Sequence, residues 1–246
     1  MMPKQAFLNT YIDNLSMTET VSAVDGMVKA KKKSYVVAVN TDVIIKIDQD
    51  QELKEIVDKA DLTVVDGQPL VWVARRRGIP LKERVSGSDL VPKLCELASK
   101  KGYKIFIIGG KDGVADNAKK NLEKDFNGIK VVGTYAPPFG FEKDVKELKK
   151  INKMISDVKP DLLFACFGCP KQEKWIYENI SKYTATVSVC AGATVDFLAG
   201  NVKRAPKWMS NMGLEWLYRF TRQPRRLFKR YFVDDLAIFR IMRKYK

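Results

Sequence analysis

The chain contains no histidine. A general base acting near neutral pH must therefore be a carboxylate, or a Lys, Tyr or Cys with a displaced pKa. A histidine-containing triad and a histidine-held metal are excluded on the same ground. Asp66 is the natural candidate, because it follows the β-branched run Thr63–Val65 directly and precedes Gly67. A carboxylate at the end of a buried strand is costly unless it is paired or put to use. On the residues alone two readings stay open: a catalytic base, or an N-cap for the helix opening near Gln68. Gly109, Gly110 and Gly113 follow a second apolar run and open another helical stretch. Glycines in that setting let backbone N–H groups approach a phosphate at the positive end of a helix. Their spacing is not that of the dinucleotide fingerprint. A nucleotide-sugar diphosphate fits better, with a plain tight turn as the alternative.

Other chemistry-bearing residues carry less. Cys166 and Cys169 form a lone C-x-x-C with no second pair, so buried strand-end thiols in a reducing cytosol are favoured over a metal or redox role. Asp48 and Asp50 have the spacing of a metal-binding carboxylate pair but fall within a helical segment, and are discounted. No metal or other cofactor is expected. The loop Thr134–Phe141 is rich in proline and aromatics and could stack a base or cover a site.

The elements that must hold these residues follow from periodicity. Apolar, β-branched runs at 34–39, 62–65, 104–108, 130–132, 161–166 and 186–190 read as strands. Helical stretches are expected at about 42–60, from 68, and over 89–101, 114–126, 143–158 and 171–183. Strand alternating with helix predicts a Rossmann-like α/β fold, its mostly parallel sheet covered by helices on both faces. The core is assigned to residues 1–202, with two sub-regions divided near residue 100. Ligands of such sheets bind beyond the carboxyl ends of the strands. That is where Asn40, Thr41, Asp66, Gly109, Gly110, Gly168, Gln172, Gly192 and Asp196 fall.

From about Pro206 the alternation stops. The chain holds 44 Lys and Arg against 29 Asp and Glu, a net charge of +15, and residues 203–246 alone carry 13 basic and 3 acidic residues. Aromatic and aliphatic residues recur among the arginines at roughly helical spacing, and Pro224 should interrupt any helix there. The pattern predicts a basic amphipathic helical appendage. An anionic membrane surface is its favoured partner, ahead of nucleic acid or a solvated face. Met1–Leu15 does not look like a signal peptide, and no apolar run approaches the ~18 residues of a membrane span. A cytoplasmic protein meeting the inner face of the membrane peripherally is expected.

Taken in order, several stretches resemble the WecG/TagA/CpsF glycosyltransferases: 39–43, 65–70, 84–89, 107–110, 133–139, 168–173, 192–197 with Gly200, and 204–208 leading to 213–217. The likeness covers roughly residues 5–245, closest to the TagA-like N-acetylmannosaminyltransferases. It implies an inverting, metal-independent enzyme of Rossmann-like fold. Such an enzyme moves N-acetylmannosamine from UDP-ManNAc to undecaprenyl-diphosphate-linked GlcNAc, completing the linkage unit of wall teichoic acid. The same family also uses UDP-ManNAcA or another UDP-hexose for other surface polysaccharides. By this resemblance Asp66 is the base, with Asn40, Thr41 and Gln172 beside it. Gly109 and Gly110 face the diphosphate, and Tyr135 and Asp196 serve the nucleotide, with Gly168 and Gly192 also lining the donor site. Arg84 and the appendage arginines Arg219, Arg222 and Arg225 would offset charge on the departing UDP. The appendage is expected to dock, and so close the site, only at the membrane. It also leaves room for a homo-oligomer. The rivals are a nicotinamide-dependent oxidoreductase and a basic nucleic-acid-binding protein, and no nucleic acid partner is expected.

Overall fold

A computed structural model describes residues 4–206, 209, 214–222 and 224–245, apart from the side chains of Arg219, Arg226, Arg230 and Val233. Trp208 and Gly213 of the sequence motifs lie outside the described residues. The core is a six-stranded sheet whose pairings are all parallel. Its strands are β3 (Ser34–Val39), β4 (Leu62–Val65), β5 (Lys104–Gly109), β6 (Lys130–Tyr135), β7 (Leu162–Cys166) and β8 (Val187–Cys190), in the order β4-β3-β8-β7-β5-β6. Strand β7 reads as an unbroken apolar run because both faces are covered. In β7 every residue is buried.

Alternation assigns the side chains to the two faces. Tyr35, Val37, Val39, Phe106, Ile108, Leu163 and Ala165 belong to one core cluster. Val36, Val64, Ile105, Ile107, Leu162, Phe164 and Val187 belong to the other. Against the first pack α2 (Thr41–Gln49), α3 (Gln51–Asp58), α4 (Gln68–Arg76), α7 (Val145–Val158) and α8 (Lys171–Asn179). Against the second pack α1 (Met17–Lys29), α5 (Gly87–Lys101), α6 (Val114–Asp125) and α9 (Thr194–Leu198).

Three details depart from the periodicity reading. A hairpin of β1 (Gln5–Phe7) and β2 (Thr10–Ile12) precedes α1. Helix α1 itself is announced by a capping box: Ser16 accepts from the Glu19 N–H while the Glu19 carboxylate accepts from the Ser16 N–H. The single helix expected over 42–60 is two, because Asp50 takes extended backbone angles (φ −127°, ψ 99°) and caps α3 through the Leu53 N–H.

The appendage is helical at Glu215–Arg222, Pro224–Lys229 and Ala237–Lys244, with a π-helical turn at Arg230–Asp234 between the last two. Pro224 opens the second helix, where its missing N–H costs nothing. The last helix is seated on α2. Ile238 and Ile241 are buried, and Asp48 of α2 accepts hydrogen bonds from Lys244 Nζ at 2.7 Å and the Tyr245 hydroxyl at 3.0 Å. Arg240 stands 3.8 Å from the same carboxylate, whose side chain is 6% exposed. The expectation of an appendage that docks only on meeting a membrane therefore leaves out this helix, which the core itself holds.

The hydrogen bond from Lys244, helped by Tyr245, holds the Asp48 carboxyl below the usual carboxylate range despite partial burial. A depressed folded pKa contributes stability above the unfolded value and loses it as pH falls through the folded one. Asp48→Asn should be less stable than the native chain by up to about 1 kcal/mol at pH 7. In urea unfolding followed across pH, that difference should close as the pH drops below the ordinary Asp value.

Candidate functional site

All six strands point the same way, so the loops that follow them gather at one edge. At the β3 and β4 end, Asn40 caps α2 by accepting from the Val43 N–H at 3.1 Å, and Thr41 opens that helix with its side chain buried. The backbone of Asp66 is pinned beside them, its N–H donating to the Val39 carbonyl at 2.7 Å. Helix α4 starts on Gly67, whose φ of 103° suits glycine. The N-cap position is therefore Gly67, and Asp66 stands one residue before it.

Asn40, Thr41, Asp66 and Gly67 form the polar end of a cavity of about 630 Å³. Its remaining walls are largely apolar. Trp72 and Val73 come from α4, and Trp216, Tyr231, Phe232, Leu236 and Phe239 come from the appendage. Among the described residues the cation lining it is Arg76, at the end of α4. Sequence reasoning passed over Arg76 and Trp72. The signal was present in the run Arg75-Arg76-Arg77, which closes an otherwise amphipathic helix.

The glycine loops lie further along the edge. One oxygen organises two of them: Gln172 Oε1 accepts from the Gly168 N–H at 3.2 Å and the Gly192 N–H at 3.0 Å. The Gln172 Nε2 donates to Glu173 Oε1 at 2.8 Å. Glu173 is 1% exposed, and burial raises its pKa. The structure therefore places Gln172 as a clamp between the loops after β7 and β8, with its amide oxygen and one amide N–H engaged.

Gly109 has φ 115°, and a Cβ there would lie 2.6 Å from the Cys166 carbonyl oxygen. Its lack of a side chain is a packing requirement of the β5–β7 contact. The Gly110 N–H donates to that same carbonyl at 3.3 Å. Cys166 is buried and its thiol is pushed up to about 12 by burial. Tyr135 ends β6 with its hydroxyl bonded to Glu147 and receiving Lys150 Nζ at 2.5 Å. Asp196 lies on α9, its backbone carbonyl accepting from the Val202 N–H at 3.2 Å.

Sheet order sets the scale. β3 lies beside β8, so the Asn40–Thr41 and Gly192 ends are neighbours. Asp66 and Gly109 end strands four steps apart, roughly 19 Å at ~4.8 Å per step. Only an elongated ligand could engage both.

The predicted arginines divide. Arg84 does not line the Asp66 cavity. It sits 3.6 Å from Asp89, and with Arg204 both residues border a separate cavity of about 830 Å³. Burial works to raise the Asp89 carboxyl, but hydrogen bonds from Ser86 and Arg204 outweigh it and hold it low. Arg222 and Arg225 are exposed, with Arg222 over the Tyr218 ring at 5.5 Å. The side chain of Arg219 lies outside the described residues. Neither carboxylate of the Asp-x-Asp spacing is idle: Asp48 holds the last helix, and Asp50 caps α3 and pairs with Lys174 at 2.9 Å.

A model of the Glycosyl transferase WecG/TagA/CpsF family matches residues 5–246 of the chain. Two curated relatives carry the name N-acetylglucosaminyldiphosphoundecaprenol N-acetyl-beta-D-mannosaminyltransferase. The protein of Bacillus spizizenii (strain ATCC 23059 / NRRL B-14472 / W23) is 30% identical over 195 residues, which is 79% of this chain and 74% of the relative. That of Bacillus subtilis (strain 168) is 30% identical over 186 residues, 76% of this chain and 70% of the relative.

Removing the clamp tests its role. Gln172→Ala leaves two half-buried N–H groups without their acceptor and should cost about 1–3 kcal/mol, read as a lowered urea midpoint with an unchanged slope.

Proposed function

Because this chain belongs to the WecG/TagA/CpsF glycosyltransferase family, we propose that it moves N-acetylmannosamine from UDP-ManNAc to undecaprenyl-diphosphate-linked GlcNAc. The observation that carries the reading is the mixed cavity at the end of β3 and β4. Its polar end can hold a sugar hydroxyl at Asp66, and its aromatic and aliphatic walls suit the hydrocarbon of a lipid-linked acceptor. The names of the two Bacillus relatives specify that acceptor and that sugar.

The Asp66 carboxylate takes the proton of the acceptor hydroxyl, whose oxygen attacks the anomeric carbon. The bond from that carbon to the diphosphate breaks, and UDP leaves with the electron pair, on the face opposite the attack. Configuration at the anomeric carbon inverts. Asn40 and Thr41 border the reacting hydroxyl, while Gly110, Gly192, Tyr135 and Asp196 line the row along which the nucleotide would extend. Charge growing on UDP is met by cations, which stabilise a transition state in proportion to how well they are fixed beforehand. Arg76 offers one, and Arg219, Arg222 and Arg225 of the appendage can approach from outside. No helix among the described residues is long and apolar enough to cross a membrane, and the lipid-linked acceptor is reached peripherally from the membrane surface.

UDP release from UDP-ManNAc should require a lipid-diphosphate GlcNAc acceptor. Asp66→Asn should lower that release by about 10²–10⁴-fold, the range for loss of a general base, while UDP binding by calorimetry persists. Acceptor-dependent release with UDP-ManNAcA or another UDP-hexose instead would move the donor within the family. Release unaffected by Asp66→Asn would remove the base.

A further inference from the structure

A second large cavity, of about 890 Å³, opens where the β1–β2 hairpin, the end of α4 and the last helix meet. Its walls are of two kinds. Phe7, Leu8, Ile79, Phe239 and Met242 are apolar, and Arg76, Arg77 and Arg243 converge on it from two helices. Among the described residues no carboxylate lines it. Among the described residues no acidic group stands within ion-pair distance of these three arginines. The contrast within the last helix is informative: Arg240 and Lys244 are both paired with Asp48, whereas Arg243, between them in sequence, faces the cavity.

Guanidinium groups gathered around one cavity repel one another, and an anion placed among them relieves that cost. Arg77 is already fixed, donating through Nη2 to the Met242 carbonyl at 2.7 Å, so little side-chain freedom is lost on binding. Guanidinium groups favour phosphate, which they can meet with two hydrogen bonds at once. The apolar half of the wall says more about the ligand. A free phosphate has no use for Phe7, Leu8 and Ile79, while an amphiphile has. The rim continues the argument, because Phe239 (61% exposed), Leu236 (55%) and Trp72 (54%) stand out from the surface around the neighbouring catalytic cavity.

We propose that this cavity is a seat for the phosphate headgroup of an anionic phospholipid, distinct from the lipid-linked acceptor. Arg77 and Arg243 hold the phosphate, and the acyl chains leave over Phe239 toward the bilayer. The inference rests on the peripheral-membrane reading above. The cavity volume lies within the range of built small-molecule sites. Because Arg76, Phe239 and Met242 also line the catalytic cavity, a lipid seated here sits directly behind the wall of the active site.

The test uses the full chain and two probes that contain no acceptor: soluble short-chain phosphatidylglycerol below its micelle threshold, and phosphatidylglycerol–phosphatidylcholine vesicles. Arg243→Gln and Arg77→Gln should each weaken short-chain phosphatidylglycerol binding about fivefold or more, the order expected for one cation beside an anionic headgroup. Lys244→Gln changes net charge equally but removes a residue paired with Asp48, and should weaken it less than about twofold. Arg243→Lys should restore much of the binding, and thermal melting checks that each variant is folded. Equal losses for Arg243→Gln and Lys244→Gln would mean a diffuse field without a seat and would overturn the proposal. Binding of phosphatidylcholine as tightly, or displacement by inorganic phosphate at the same concentration, would overturn the anionic lipid as occupant. Vesicle binding by the native chain with no short-chain binding would remove the seat and keep the membrane reading. Absence of both would remove the two together.

Discussion

The ladder between β3 and β8, in which Ser34, Tyr35 and Val36 lie opposite Val187, Ser188 and Val189, is the contact on which the site depends. Within the six-stranded sheet, the two strands from the first hundred residues lie on one side of it and the four later strands lie on the other. Because the pairing is parallel, the loop bearing Asn40 and Thr41 and the loop bearing Gly192 emerge at the same edge. An antiparallel join would have sent the carboxylate of Asp66 and the glycine loops to opposite ends of the sheet. Burial on both faces makes this register hard to shift, since a one-residue slip would exchange the two core clusters.

Polar groups near that edge are used economically. Gln172 serves two loops with one oxygen, and buried Glu173 stands behind it. Asp48 gathers three partners from the appendage and so decides where the last helix lies. That single acidic residue turns a basic segment into part of the wall of a cavity. Trp216 meets Tyr231, and Phe232 meets Phe220 and Phe228, while Trp216, Tyr231 and Phe232 also wall the cavity. They complete a space whose floor belongs to the sheet.

The strands were legible because buried parallel strands have no polar face to break the apolar run, and the functional residues clustered at their ends for the same topological reason. The β1–β2 hairpin was not, since three-residue strands carry too little pattern to separate from a loop. The Ser16–Glu19 capping box could have revealed α1, and Asp50 could have divided α2 from α3. Asp66 stood out because an acid after Val65 is chemically conspicuous. Arg76 did not, because its placement depends on Phe239 and Met242 from far along the chain. Gln172 was named beside Asp66, but its engagement with Gly192 spans twenty residues of sequence and is visible only once β7 and β8 are side by side.

The absence of histidine, together with the burial of Cys95, Cys166 and Cys190, has a consequence for how the chain carries its charge. No side chain has an ordinary pKa near neutrality, and burial lifts the Cys95 and Cys166 thiols to about 12. The net charge of +15 is therefore almost constant over the pH range in which a histidine-rich basic protein would shed several charges. Acidification hardly changes its attraction to an anionic partner, whereas salt does, because screening acts over about 8 Å at physiological ionic strength. Near neutrality its attraction to such a partner answers to ionic strength rather than to protons.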